Sequence, residues 1–110
     1  MEKNQLTKNV PNEKFLDIIK GSIVDTWYKL LSHEVYRYEM NEGEGEQVGF
    51  GLELEDKTNG KAVKAGVTFV QDEAHAQTTY GPAGMEKPMF TGLERRYKEF
   101  LAEKFGESNK

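Results

Sequence analysis

The sequence predicts an α+β fold: a two-layer sandwich whose four-stranded antiparallel meander is flanked in sequence by an N-terminal and a C-terminal helix (α-β-β-β-β-α). Three observations predict it. Apolar residues recur at steps of three and four near each end of the chain, as in amphipathic helices. Between them apolar and polar residues alternate, the period of a strand with one buried face. The alternating runs are joined by short polar segments too brief for crossovers, which makes neighbouring strands antiparallel. One sheet face then needs covering, and two apolar helix stripes are available to cover it.

The elements follow in order. Residues 1–11 are polar, end in Pro11 and read as a flexible leader; a single domain spans 12–106, and 107–110 form a flexible tail. Asn12 suits a helix N-cap, with Glu13 in the first turn where the helix dipole favours an acid. Leu16, Ile19, Ile23, Trp27 and Leu30 form a stripe that Phe15, Ile18 and Leu31 widen, so the first helix is expected to reach Ser32 or His33, mildly interrupted at Gly21. The period then changes. From Val35 to Met40 the residues alternate, with Tyr36, Tyr38 and Met40 on one face. Val48, Phe50, Leu52 and Leu54 alternate with Gly49, Gly51, Glu53 and Glu55. Asp56 to Gly60 is a turn, since Asn-Gly tolerates positive φ. Val63, Ala65, Val67 and Phe69 form the third strand's apolar face, Gln71 to Glu73 turn the chain, and His75 to Tyr80 read as a shorter fourth strand. After a Gly/Pro-bearing loop, Thr91 and Glu94 have the spacing of a capping box. Leu93, Tyr97, Phe100, Leu101 and Phe105 form the closing helix's stripe, and Gly106 is placed to end it.

This pattern assigns faces. Trp27, Tyr36, Tyr38, Phe50 and Phe69 are expected in the core. The opposite face is expected to present Arg37, Glu39, Gly49, Gly51, Glu53, Glu55, Lys64, Gly66, Thr68, Gln77 and Thr79. Three glycines on adjacent strands mark either strong twist or a low platform that another backbone can approach.

Composition narrows the function. The 110 residues carry no cysteine, which excludes disulfides and thiolate metal sites. No apolar run approaches the ~20 residues of a membrane helix, and the first residues lack the apolar stretch of a signal peptide; a cytoplasmic protein is expected, away from membranes. The net charge of -4 is uneven: Glu34 to Glu73 holds ten acidic and four basic residues, a balance of -6, leaving +2 elsewhere. Such a chain repels phosphate backbones, so nucleic acid is not the expected partner.

Catalytic chemistry finds little to build on. His33, expected at a helix end, and His75, on a strand, are the only histidines and have no metal-ligand spacing. Glu42, Glu44 and Glu46 alternate with glycine but lack the ligand ladder of a calcium loop. Glu39, Glu53 and Glu55 read as solvated charge rather than an acid–base pair. Arg95 and Arg96 fit helical pairing with Glu99 or Glu103. No catalytic residue, metal or cofactor is therefore expected.

Glu34-Val-Tyr-Arg-Tyr-Glu-Met-Asn-Glu-Gly43 followed by Glu46-Gln-Val-Gly-Phe50 resembles the first hairpin of the YezG-like bacterial immunity proteins, and Tyr97 to Phe105 is similar in type to their closing helix. The chain departs from that pattern at Trp27, which lies eight residues before Val35 instead of next to it, and in the glycines of the second strand. The resemblance covers at most half of the chain. It implies a bacterial antitoxin that neutralises a nuclease toxin by direct binding, and it carries over no functional residue.

The leading expectation is a non-catalytic domain that binds a basic protein, as an immunity protein or inhibitor does, through Glu42, Glu44, Glu46, Glu53 and Glu55. The alternative is a small-ligand-binding domain or enzyme with Trp27, Tyr36, Tyr38 and Tyr80 lining a pocket between sheet and helices. A homodimer through the glycine-bearing face is a third arrangement.

Overall fold

Alternation over Val48–Leu54 and Val63–Phe69 builds the two central strands, and every apolar member of both runs is buried. The computed structural model describes Thr7 and residues 10–39, 46–80 and 89–106. Helix α1 (Asn12–Ser22) is followed by strands β1 (Tyr28–Glu39), β2 (Glu46–Asp56), β3 (Lys61–Val70) and β4 (Glu73–Tyr80), then by helix α2 (Leu93–Leu101), which runs into a π-helical turn, Ala102–Gly106. The strands form one antiparallel sheet in the order β1-β2-β3-β4. The α-β-β-β-β-α order and the α+β meander are those that the periodicities predict.

The β2–β3 turn obeys its local chemistry. The Asp56 carboxylate accepts from the Thr58 amide at 2.9 Å, the Gly60 amide donates to the Asp56 carbonyl at 2.7 Å, and Gly60 takes the left-handed φ of 72° that Asn-Gly makes cheap. Between β3 and β4, Gln71 holds a φ of 54°, uncommon for a side chain of its size. Its carbonyl accepts the Tyr97 hydroxyl at 2.6 Å, which fastens α2 to the sheet.

Both helices pack on one side of the sheet. Phe15 of α1 lies with its ring centroid 4.8 Å from Phe69, 6.2 Å from Tyr97 of α2 and 6.4 Å from Phe50. Ile18, Ile19, Leu93 and Leu101 complete the helical contribution to the core. Trp27 is partly buried against the same core.

Several expectations are corrected. The first helix stops at Ser22, not near His33, because residues 22–24 trade helical bonds for pairing with the segment before α2. Ile23 turns extended and bridges Phe90, the Val24 amide donates to the Met89 carbonyl at 2.8 Å, and the Thr91 amide donates to Ser22 at 2.8 Å. β-branched Ile23, Val24 and Thr26 resist that exchange less than good helix formers would. His33 is thus a mid-strand residue opposite Leu52, not a helix end. Pro11, not Asn12, occupies the α1 N-cap, and α2 starts behind Gly92 in a left-handed conformation with no side-chain cap, so the Thr91–Glu94 box is not formed. Thr7 and Val10, expected in a loose leader, are buried.

The largest correction concerns the phase of β1. Val35 pairs with Phe50 and Arg37 with Val48, while Tyr36 pairs with Gly49 and Tyr38 with Gln47. Side chains alternate along a strand, so Val35, Arg37 and Glu39 share the helix-facing side, and the two tyrosines point the other way. Tyr36 and Tyr38 are accordingly 44% and 56% exposed instead of core. Arg37 faces inward because it has partners there: its guanidinium donates to the carbonyls of Thr7 and Val10 at 2.9 and 2.8 Å, to Asn12 Oδ1 at 2.9 Å and to Glu46 Oε2 at 3.1 Å. An extra residue at Leu31 separates this register from that of Tyr28 to Leu30.

Candidate functional site: the open sheet face

The face of the sheet away from the helices is built by alternation. β1 contributes Lys29, Ser32, Glu34, Tyr36 and Tyr38; β2 contributes Gln47, Gly49, Gly51, Glu53 and Glu55; β3 contributes Lys64, Gly66 and Thr68; β4 contributes Glu73, His75 and Gln77. Gly51 and Gly66 are direct cross-strand neighbours, flanked by Glu34 and Gln77. The middle of the sheet therefore carries a strip without side chains.

Tyr36 and Tyr38 border that strip. Their rings stand parallel, 10° between planes and 6.4 Å between centroids. Cε2 of Tyr36 lies 3.7 Å from where a β-carbon on Gly51 would sit, an ordinary contact distance, so the ring covers bare backbone. The Tyr36 hydroxyl donates to Glu34 Oε2. That bond to a carboxylate pushes the Tyr36 phenol up from its usual range, with the Glu34 charge adding to it and desolvation contributing less. Further along, Ser32, Glu34, Gly51, Glu53 and Lys64 line a shallow cleft of about 230 Å³. Glu53 and Lys64 are cross-strand neighbours there, and Ser32 Oγ donates to Glu53 Oε1 at 3.5 Å.

The sequence-predicted acidic residues divide three ways. Glu53 and Glu55 lie on this face, half-buried. Glu46 sits opposite Glu39 in the helix-facing phase, and its carboxylate is engaged by Arg37. Glu42 and Glu44 lie outside the described residues. The proposed aromatic pocket is not assembled between sheet and helices: Trp27 packs on the helix side, Tyr36 and Tyr38 on the other, and the side chain of Tyr80 lies outside the description. Glu34 escaped notice because its importance depends on the phase of β1, which local alternation alone left reversed.

The remaining polar chemistry is structural in character. His75 and Glu73 pair at 3.0 Å on an exposed strand surface. Arg95 reaches Glu99 at 3.4 Å along α2, the helical pairing that the spacing predicts, whereas Arg96 donates to the Thr91 carbonyl at 3.1 Å. Among the described residues no three histidine or carboxylate side chains are grouped to hold a metal ion, and no helix is long and apolar enough to cross a membrane.

Tyr97 gives a pH-dependent handle on the other layer. Burial, and then the nearby Asp72 charge, push its phenol well above the ordinary value. The folded state thus resists an ionisation that the unfolded chain undergoes near pH ~10. Stability from this group is intact below that pH and falls as pH rises beyond it. Tyr97→Phe removes the bond to Gln71 and is expected to cost about 1 kcal/mol at neutral pH. It is also expected to flatten the alkaline loss of stability, which urea melts at neutral and alkaline pH will read. A melt series with the same alkaline slope in both proteins would exclude this role.

The fold and this face define a small two-layer α+β domain whose two described helices pack on one side of the sheet and leave the other uncovered among the described residues. The chain matches no family model, no curated protein and no solved structure.

Proposed function

We propose that the chain is a non-catalytic binding domain that takes a basic protein partner on its open sheet face. The observation that carries this reading is the juxtaposition of two exposed tyrosines with Glu34, Glu53, Glu55 and Glu73 on a surface where Lys29 and Lys64 are the lysines among the described residues. Tyrosine supplies large contact area at low entropic cost and is enriched at the centres of interfaces. Carboxylates around it steer a cationic partner and reject acidic ones. The narrower reading, an immunity protein or antitoxin whose partner is a toxin, rests on the resemblance of the first hairpin and closing helix to the YezG-like proteins.

The test is affinity capture from the native host at low and high salt, using the wild type, a Glu53→Lys/Glu55→Lys double variant, and a Glu99→Lys control on α2. A partner held at low salt is expected to be released at high salt, as screening weakens exposed charge pairs. For the isolated pair, the double charge reversal is expected to slow association by roughly tenfold or more, with the α2 control close to wild type. Equal capture by all three proteins would refute the assignment of this face.

A further inference from the structure

We propose that β1 is a self-association edge: two copies of this chain pair their β1 strands antiparallel about Tyr36 and join their sheets into one. The inference stands apart from the reading of the open face as a site for a basic protein. In the order β1-β2-β3-β4 the first strand is an edge, paired with β2 alone among the described residues. Such an edge presents a row of amides and carbonyls that another strand can take up, and natural edges are blunted by shortness, proline, bulges or lysines. β1 runs for 12 residues without proline. Its bulge at Leu31 and its lysine, Lys29, lie towards one end, and Ser32–Glu39 keeps a regular register. The three large apolar side chains exposed among the described residues, Leu31, Tyr36 and Tyr38, all belong to this strand. Ser32, His33 and Glu34 are exposed although they alternate between the two faces, so the helix layer leaves this stretch of the edge uncovered. The other edge, β4, is shorter at 8 residues, and α2 packs against it.

The order of charges along the strand points to a second copy as the occupant and selects the register. Opposed residues in an antiparallel pair turn their backbone groups alike, so two identical strands related by a twofold axis meet with one residue facing its own copy. Four such centres lie in the middle of Ser32–Glu39. Centring on Glu34 or on Arg37 sets a charge against itself. Centring on Val35 sets His33 against Arg37 and Glu39 against the bulged Leu31. Centring on Tyr36 opposes no like charges: Tyr36 meets the Tyr36 of the copy, Glu34 meets Tyr38, Val35 meets Arg37 and His33 meets Glu39. Opposed aromatic rings stabilise antiparallel strands, and like charges there destabilise them. In this register every residue from His33 to Glu39 is paired, and the helices of both copies lie on the same side. The exposed tyrosines then move from the rim of one sheet to the middle of a wider one. The net charge of -4 on each copy opposes this only weakly, since exposed charges more than about 8 Å apart are screened at physiological salt.

The experiment is analytical ultracentrifugation of the full chain over a concentration series reaching roughly 1 mM, at low and high salt. The mass is expected to rise from one chain towards two and to do so at both salt concentrations, whereas a basic partner on the open face is released at high salt. Tyr36→Lys and Tyr36→Glu each set like charges face to face at the twofold axis and are each expected to weaken association tenfold or more. An equimolar mixture of the two sets lysine against glutamate and is expected to recover the doubled mass. That recovery needs both variants folded and residue 36 opposite its own copy. Hydrogen exchange of the wild type, which needs no variant, is expected to slow in His33–Glu39 as concentration rises, with β4 unchanged. A wild type that stays one chain across the series overturns the proposal, as does a dimer whose concentration-dependent protection falls on β4 or on the helices. Either Tyr36 variant associating as the wild type does, or a mixture of two folded variants that stays monomeric, overturns the register. Each of these failures leaves capture of a basic partner through Glu53 and Glu55 to be decided by its own test.

Discussion

Phe15→Ala is expected to destabilise the domain by about 3–5 kcal/mol, the range for deleting a fully buried aromatic ring. Phe15 is 0% exposed and is the ring at which α1, the sheet and α2 meet: Phe69 and Phe50 lie beneath it, Tyr97 beside it, and the Arg37 guanidinium 5.8 Å from its centroid. Removal leaves a gap bounded by three aromatic rings, which cannot all collapse into it without losing their mutual geometry. Domains of this size are held by only ~5–15 kcal/mol, so the variant should sit near the edge of folding and melt roughly 10–20 °C lower. Phe15→Leu keeps most of the apolar volume and should cost less than half as much. Denaturant melts of the three proteins give the comparison directly. A Phe15→Ala loss below about 1 kcal/mol would mean that the helices are not seated on the sheet through this ring.

The parts of the fold that the sequence made legible are those in which one local signal decides the outcome. β2 and β3 are central strands with one face buried along their whole length, so strict alternation from Val48 to Leu54 and from Val63 to Phe69 names the core without further help. The Asn59-Gly60 turn is fixed by its own backbone preferences. In α2, Leu93, Tyr97 and Leu101 are the buried members of the predicted stripe. The errors arise where partners distant in sequence choose between two local options. Ile23, Trp27 and Leu30 satisfy a helical period, and Tyr28 and Leu30 also satisfy a strand period; pairing of residues 22–24 with 89–91 decides for the strand. In β1, the more apolar set, Tyr36, Tyr38 and Met40, is the natural candidate for the core. The winning set contains Val35, paired with Phe50, and Arg37, whose partners Thr7, Val10 and Asn12 lie 25 to 30 residues away. The same reversal hid the tyrosine pair from the surface on which Glu53 and Glu55 had already been placed.

That reversal makes Arg37 the second test of consequence. Arg37→Ala is expected to cost about 2–3 kcal/mol, although a strand arginine read from sequence alone would pass for a solvated surface charge worth almost nothing. The guanidinium makes four hydrogen bonds at 2.8 to 3.1 Å, and two of them go to the carbonyls of the buried residues Thr7 and Val10. Removing the donors leaves the Val10 carbonyl and the Glu46 carboxylate to find other partners, while Thr7 keeps its hydroxyl bond to the Glu46 carbonyl at 2.7 Å and a long bond from the Val10 amide at 3.5 Å. The loss should therefore concentrate where the segment around Thr7 to Asn12 meets the end of β1, and hydrogen exchange should quicken there before it does in β2 and β3. Arg37→Lys should recover less than half, since one ammonium cannot reproduce a fork that serves four acceptors on different elements. Tyr38→Ala, the next residue on the strand and on the opposite face, should stay within about 0.5 kcal/mol of wild type. The contrast also separates the two roles of the acidic residues. Glu46→Gln weakens the Arg37 cluster and should lower stability without touching the open face, whereas Glu53→Lys should alter partner association at nearly unchanged stability. If Arg37→Ala melted with the wild type, the inward phase of β1, and with it the tyrosine-lined face, would have to be abandoned.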